Sequence, residues 1–190
     1  MKTITEILRE YGAERPEGTD KQREHQYGPV YDQLFPESVR ENVRYVLEIG
    51  VAYGRSLLAW RDAFPNATIV GLDADPCVPA PRGERIEIHQ GSQIDRGILA
   101  SLARGQREFD LIIDDGSHIL EHQLFTMFIL WPHVKVGGVY LIEEFDVQNG
   151  VGPAWHTNAC RSLFATGLMV DTMSHTGGLE PLFVARKDHA

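Results

Sequence analysis

A chain of 190 residues with 43% hydrophobic content suits one domain with a substantial core. Its 27 acidic against 18 basic residues give a net charge of −9, which argues against a nucleic-acid groove, because phosphate binding rests on clustered Lys and Arg. The stretch from Met1 to Glu10 mixes charges into its apolar residues, so neither an export signal nor a membrane span is expected; the location reads as cytoplasmic, with Cys77 and Cys160 reduced.

Residues 1–44 read as a short amphipathic helix, a polar loop from Arg15 to Lys21, and a Tyr- and Phe-bearing segment that caps the rest without joining a sheet. From Tyr45 strand and helix signals alternate, which predicts a parallel sheet flanked by helices over residues 45–190. Tyr45 to Ile49 is the first strand, and Ser56 opens a helix that reaches Phe64 before Pro65 stops it. Strands follow at Thr68 to Leu72 and Ile86 to Ile88, then a helix at Ile94 to Ala103 and a strand at Leu111 to Ile113. A helix from His118 to Trp131 ends at Pro132, and Gly137-Gly138 turns the chain into the fifth strand. After a loop at Asn149 to Pro153 come a helix at Trp155 to Phe164, a strand at Leu168 to Asp171, a turn at His175 to Gly178 and a strand at Leu182 to Ala185. The expected fold is α/β: a doubly wound, seven-stranded, Rossmann-like sheet whose last strand is antiparallel.

Chemistry concentrates at two strand ends. Phe109 to Ile113 is an apolar run that delivers Asp114 and Asp115, with His118 three residues on, and Gly138 to Ile142 likewise delivers Glu143 and Glu144. Paired carboxylates beside a histidine suit a hard divalent cation next to a general base. Successive residues at a strand end face opposite ways, so one of Asp114 and Asp115 can serve a cofactor and the other a metal. The first strand runs into a turn bounded by Gly50 and Gly54, which fails the G-x-G-x-x-G dinucleotide fingerprint. Asp73, about twenty residues on, is placed to accept hydrogen bonds from ribose hydroxyls, so turn and acid together point to a nucleoside-containing cofactor. Ser92-Gln93 adds an amide suited to the edge of an adenine.

Val46-Leu47-Glu48-Ile49-Gly50, Ser56-Leu57, Gly71-Leu72-Asp73, Gly91-Ser92-Gln93-Ile94-Asp95, Asp114-Asp115-Gly116-Ser117-His118, Pro132 to Gly138 and Ile142-Glu143-Glu144 resemble the class I S-adenosylmethionine-dependent methyltransferases. More narrowly, they are similar to the metal-dependent sugar O-methyltransferases of macrolide biosynthesis, with the cephalosporin-hydroxylase-like proteins as relatives. Gly18-Thr19-Asp20-Lys21 with His25, Tyr27 and Tyr31 is similar to that family's lead-in to its first strand. The resemblance implies S-adenosyl-L-methionine contacts at Glu48, Gly50, Gly54, Ser56, Asp73, Ser92, Gln93 and Asp114. It implies magnesium, with manganese as the alternative, on Asp115, Glu143 and Glu144, and His118 as base. Two departures accompany it. Glu144 stands where the family usually has Asp, one methylene shorter, and the separate amino-terminal domain of larger members has no room here, so substrate identity and oligomer state do not transfer.

The expected function is O-methyl transfer to a hydroxyl of a small molecule, a sugar or another diol-like natural product, with no nucleic-acid or membrane partner and a homo-oligomer left open. Three alternatives stand beside it: an NAD-dependent oxidoreductase, a non-catalytic cofactor-binding module, and a zinc hydrolase. The last rests on His118-Ile119-Leu120-Glu121-His122, which matches H-x-x-E-H and on a helix would put both histidines on one face.

Overall fold

A computed structural model describes residues 1–13, 18–75, 83–104, 106–145, 168–171 and 182–188. The expected loop at 149–153, helix at 155–164 and turn at 175–178 lie outside the described residues, as do both cysteines.

In chain order come helices α1 (Ile4–Tyr11), α2 (Gly28–Leu34) and α3 (Glu37–Arg40), then strand β1 (Tyr45–Ile49), α4 (Arg55–Ala63), β2 (Thr68–Asp73), β3 (Ile86–Gln90), α5 (Arg96–Leu102), β4 (Phe109–Asp114), α6 (Leu120–Leu130), a 3₁₀ turn (Trp131–His133), β5 (Val134–Ile142), β6 (Leu168–Asp171) and β7 (Phe183–Arg186). All seven strands form one sheet in the order β3-β2-β1-β4-β5-β7-β6, with β7 antiparallel to both β5 and β6 and the rest of the described pairs parallel. The strand order reverses between β1 and β4. Ligands of open α/β sheets bind at the carboxyl ends of strands at such a switch point.

Side-chain alternation divides the core into two layers. Val46, Ile69, Leu111, Ile113, Val139, Leu141 and Val184 face α4 and the amino-terminal helices, where Ile4, Leu8, Tyr27, Tyr31, Trp60 and Phe64 meet them. Leu47, Ile49, Val70, Leu72, Ile112, Tyr140 and Ile142 face α5 and α6 through Leu99, Leu102, Met127 and Leu130. Residues 1–44 therefore stay out of the sheet yet share the core of one of its faces. Their first helix is fixed by a capping box, with Thr3 Oγ accepting from Glu6 N at 3.1 Å and Glu6 Oε2 accepting from Thr3 N at 2.8 Å.

Most strand and helix ends differ from the sequence reading by one or two residues, and three of the differences have a structural consequence. Helix α5 starts at Arg96 because Asp95 turns outward to cap it, accepting from the amides of Gly97 and Ile98 at 2.8 and 3.1 Å. Strand β5 begins before the glycine pair: Phe109 pairs with Val134 and Leu111 with Val139, so Gly137-Gly138 is a bulge inside the strand, with Gly137 at φ 84°. Helix α6 starts at Leu120, and His118 lies in the preceding loop at φ 55°.

Gly50 sits at the switch point with φ 86°, and a Cβ there would run into the backbone carbonyl of Asp115. Neither backbone can yield without breaking the ladder bond from Asp115 N to Ile49 O, 2.8 Å. Gly50→Ala should therefore cost about 3 kcal/mol or more from combined strain and overlap. Gly137→Ala, at a similar φ but with nothing near its Cβ, should cost about 1 kcal/mol. Denaturant unfolding of the two variants checks the contrast, and equal losses would contradict it.

Candidate active site

The ladder registers Ile49 with Asp114 and Asp114 with Ile142, and it continues through hydrogen bonds from Asp115 N to Ile49 O and from Glu143 N to Asp114 O, 2.8 and 2.9 Å. Alternation then sends Glu48, Asp115 and Glu143 toward the amino-terminal helices and Asp114 toward α5 and α6. On the first side the ammonium of Lys21 lies 2.6 Å from Asp115 Oδ2, 2.6 Å from Glu143 Oε2 and 3.2 Å from Glu48 Oε1. Tyr31 donates its hydroxyl to Glu143 Oε1 at 2.5 Å, while Glu48 accepts from Ser56 Oγ at 2.6 Å and Trp60 Nε1 at 3.1 Å. Lys21 is 1% exposed and Glu48 is fully buried. Burial works against the charge on Lys21, but Asp115, Glu143 and Glu48 outweigh it and hold its pKa well above the ordinary value. Burial pushes the Glu48 and Glu143 carboxyls up against the opposing pull of Lys21. One ammonium cannot neutralise three carboxylates, so this cluster either retains a proton or carries excess negative charge.

On the opposite side Asp114 is fully buried, and burial pushes its carboxyl up to about 7. It accepts from Gln93 Nε2 at 3.2 Å, and Gln93 also donates to Thr126 Oγ1 and accepts from Ser117 N, at 3.2 and 2.7 Å. The Gln93 amide thus ties β4 to α6 through its nitrogen and holds the loop between them through its oxygen, although one side of the residue still lines a cavity.

Two cavities open along the switch point. The larger, about 400 Å³, is lined by the Gly50–Gly54 turn, Ser56, Lys21, Asp115, His118 and Glu144; the smaller, about 260 Å³, by Leu72, Ser92, Gln93 and His122. They share Gly50, Asp73 and Gly116. Asp73 braces the turn between them: its Oδ2 accepts from the amides of Val51 and Ala52 at 2.6 and 2.9 Å. Glu48 and Asp114 line neither cavity and reach it only through the residues they hold.

At the outer rim Asp115, His118 and Glu144 present ligand atoms within 4.8 Å of one another, a grouping that leaves Glu143 out. Nδ1 of His118 is buried without a hydrogen-bond partner, 3.5 Å from Glu144 Oε2. His118 and Glu144 both adopt left-handed backbone, φ 55° and 49°, which such side chains rarely hold unless their surroundings enforce it. His25, stacked on Tyr27 at 5.2 Å between centroids, places Nε2 3.3 Å from Glu144 Oε1. His122 instead meets Ser117 Oγ through Nδ1 at 2.9 Å and lines the other cavity. With His118 outside the helix, H-x-x-E-H does not form the one-faced histidine pair that the zinc reading needs.

Residues 47–145, a little over half of the 190, match the family described as "Methyltransferase domain". The chain belongs to the methyltransferase-domain family. This methyltransferase domain is 38% identical over 162 residues to demethylmacrocin O-methyltransferase of Streptomyces fradiae, covering 80% of this chain and 40% of that one. It is 40% identical over 127 residues to mycinamicin VI 2''-O-methyltransferase of Micromonospora griseorubida, covering 63% of this chain and 31% of that one. Among solved structures it is similar to the MycE methyltransferase of the mycinamycin biosynthetic pathway in complex with Mg, SAH and mycinamycin VI, with TM-score 0.75, 25% identity, 98% of this chain and 54% of that one covered. The chain thus spans about two fifths or less of those curated relatives' length. Among the described residues of the methyltransferase domain, no helix is long and apolar enough to cross a membrane.

Sequence reasoning passed over Lys21 as a site residue. Its signal was a lysine a few residues before His25, Tyr27 and Tyr31, and only the fold shows that it is buried. Next to it, contact with the His25 imidazole holds Asp20 down at about 2, from an ordinary value of 3.8. A lowered carboxylate stabilises the fold above its unfolded pKa and loses that contribution as pH falls through the folded one. Because the Asp20 side chain is 48% exposed, solvent reduces the effect to about 1 kcal/mol. Asp20→Asn should thus lower unfolding stability by that amount at pH 7, and the deficit should shrink between pH 4 and pH 2. A deficit independent of pH, in denaturant titrations, would contradict this.

Proposed function

We propose that this chain is the cofactor-binding and catalytic part of an O-methyltransferase that transfers a methyl group from S-adenosylmethionine to a sugar hydroxyl of a natural product, with a divalent cation at the rim. The observation that carries the reading is the junction of two cavities at Gly50, Asp73 and Gly116, with Asp115, His118 and Glu144 gathered at the outer end of one. Family membership favours methyl transfer over hydride transfer; the relatives named above are O-methyltransferases of demethylmacrocin and mycinamicin VI, and a further similar protein, 39% identical over 127 residues, is a 3'-O-methyltransferase of a rhamnosyl tetracenomycin-C.

The smaller cavity suits the nucleoside, with Asp73 at the ribose and Ser92 and Gln93 beside the base, and the Gly50–Gly54 turn carries the amino-acid end into the larger one. The Nδ1 of His118, buried among carboxylates without a hydrogen bond, supports a rim that accepts a further positive or donating group. Asp115 and Glu144 would hold the cation, magnesium first and manganese second, since both donors are carboxylate oxygens. When bound, that ion supplies Lewis acidity to a hydroxyl, and S-adenosylmethionine supplies a methyl group on an electrophilic sulfonium. His118 takes the hydroxyl proton as general base, and Glu144, 3.5 Å away, stabilises the imidazolium that results. His25 and the braced backbone hold Glu144 in place for that role.

One set of calorimetric and kinetic measurements tests this. S-Adenosylhomocysteine should bind and NAD should not. Asp73→Ala should weaken that binding by about 1.5–3 kcal/mol, the range for hydrogen bonds to a charged acceptor. His118→Ala should leave it unchanged but lower kcat by roughly 10²–10⁴ with a glycosylated macrolide acceptor. Binding of NAD in place of S-adenosylhomocysteine would sink the reading, and full turnover by His118→Ala would remove the base.

A further inference from the structure

Lys21 comes from the loop between α1 and α2 and ends among carboxylates 27, 94 and 122 residues further along the chain. An ammonium so placed does what a hard metal ion does, drawing oxygen ligands from separate elements around one positive centre. It also decides which acids remain for anything else. Both oxygens of Glu143 are engaged inside the fold, one by Lys21 and one by Tyr31, and the residue is 1% exposed. Asp115 and Glu144 are partly exposed and line the larger cavity, whereas Glu143 does not.

We propose that Lys21 is the resident cation of the strand-end acids: a positioning residue that withholds Glu143 from a divalent ion and confines that ion to Asp115 and Glu144 beside His118. The proposal rests on the cation reading above. Two consequences follow from electrostatics. Lys21 and the ion share Asp115, so they repel, and the ion is held weakly enough to exchange. Lys21 also gathers the inner acids by its own charge, so the wall that it gives the larger cavity does not depend on the ion.

Mn²⁺ binding to the metal-free protein, followed by the electron paramagnetic resonance of the free ion, tests this without any turnover. Lys21→Met keeps the length and apolar stem of the side chain and removes its charge. It should bind Mn²⁺ about tenfold more tightly than wild type or better, because Glu143 and all of Asp115 become available. The melting temperature of this variant should also rise more with Mn²⁺ than that of wild type, and adding Glu143→Gln should cancel both gains. In the wild-type background Glu143→Gln should change Mn²⁺ affinity by less than about threefold, whereas Glu144→Gln should weaken it about tenfold or more. A folded Lys21→Met with unchanged or weaker Mn²⁺ binding overturns the proposal. Should Lys21→Met not fold, Glu143→Gln decides alone, and a loss equal to that of Glu144→Gln overturns it. A wild type that binds no Mn²⁺ beside a Lys21→Met that does upholds Lys21 as the resident cation and removes the divalent ion from the proposed function instead.

Discussion

Side-chain alternation at the carboxyl ends of β1, β4 and β5 puts Glu48, Asp115 and Glu143 on one face of the sheet, and the ammonium of Lys21 compensates them. Much of the architecture depends on that arrangement. Taking one partner out of a buried ion cluster leaves uncompensated charge, typically at about 3–5 kcal/mol, so the loop that carries Lys21 is bound to the sheet by more than apolar contact. Trp60 and Tyr31, whose rings meet at 4.7 Å, complete the arrangement by donating to Glu48 and Glu143. The amino-terminal helices thus contribute charge compensation as well as hydrophobic cover.

The same alternation explains what could be read from the residues before any fold was known. Apolar runs ending in acids marked β4 and β5, the break at Pro65 marked the end of α4, and the strand–helix rhythm from Tyr45 implied the sheet. Local backbone reversals were not legible. His118 sits between an apolar strand and an apolar helix, and nothing in that pattern announces a left-handed residue that takes it off the helix and into the rim. Gly137-Gly138 reads equally well as a turn or a bulge, and only pairing with Phe109 and Leu111 decides. Lys21 was the largest omission. A lysine in a polar loop normally lies in solvent, and its burial depends on three strand ends that only the tertiary fold brings together.

Adjacent acids separate by role for the same reason. Asp114 and Gln93 face the α6 layer and lock the floor of the smaller cavity, while Asp115 faces the larger one. Asp73 both braces the glycine turn and borders the two cavities, which places the proposed nucleoside and reacting ends on one rigid edge. The rim is the less regular part: His118 and Glu144, both left-handed, lie outside the helices and strands and face each other across 3.5 Å. A scaffold of this kind leaves cofactor geometry to the strands and acceptor chemistry to the loops.

A crystal structure of the protein with S-adenosylhomocysteine and Mn²⁺, with anomalous scattering to locate the metal, tests the central claim most directly. The predicted map has the cofactor across both cavities past Gly50, a manganese peak ligated by Asp115 and Glu144, and Lys21 still bonded to Asp115 and Glu143. A manganese peak ligated by Glu143 in the position of the Lys21 ammonium, with the lysine displaced, would contradict it.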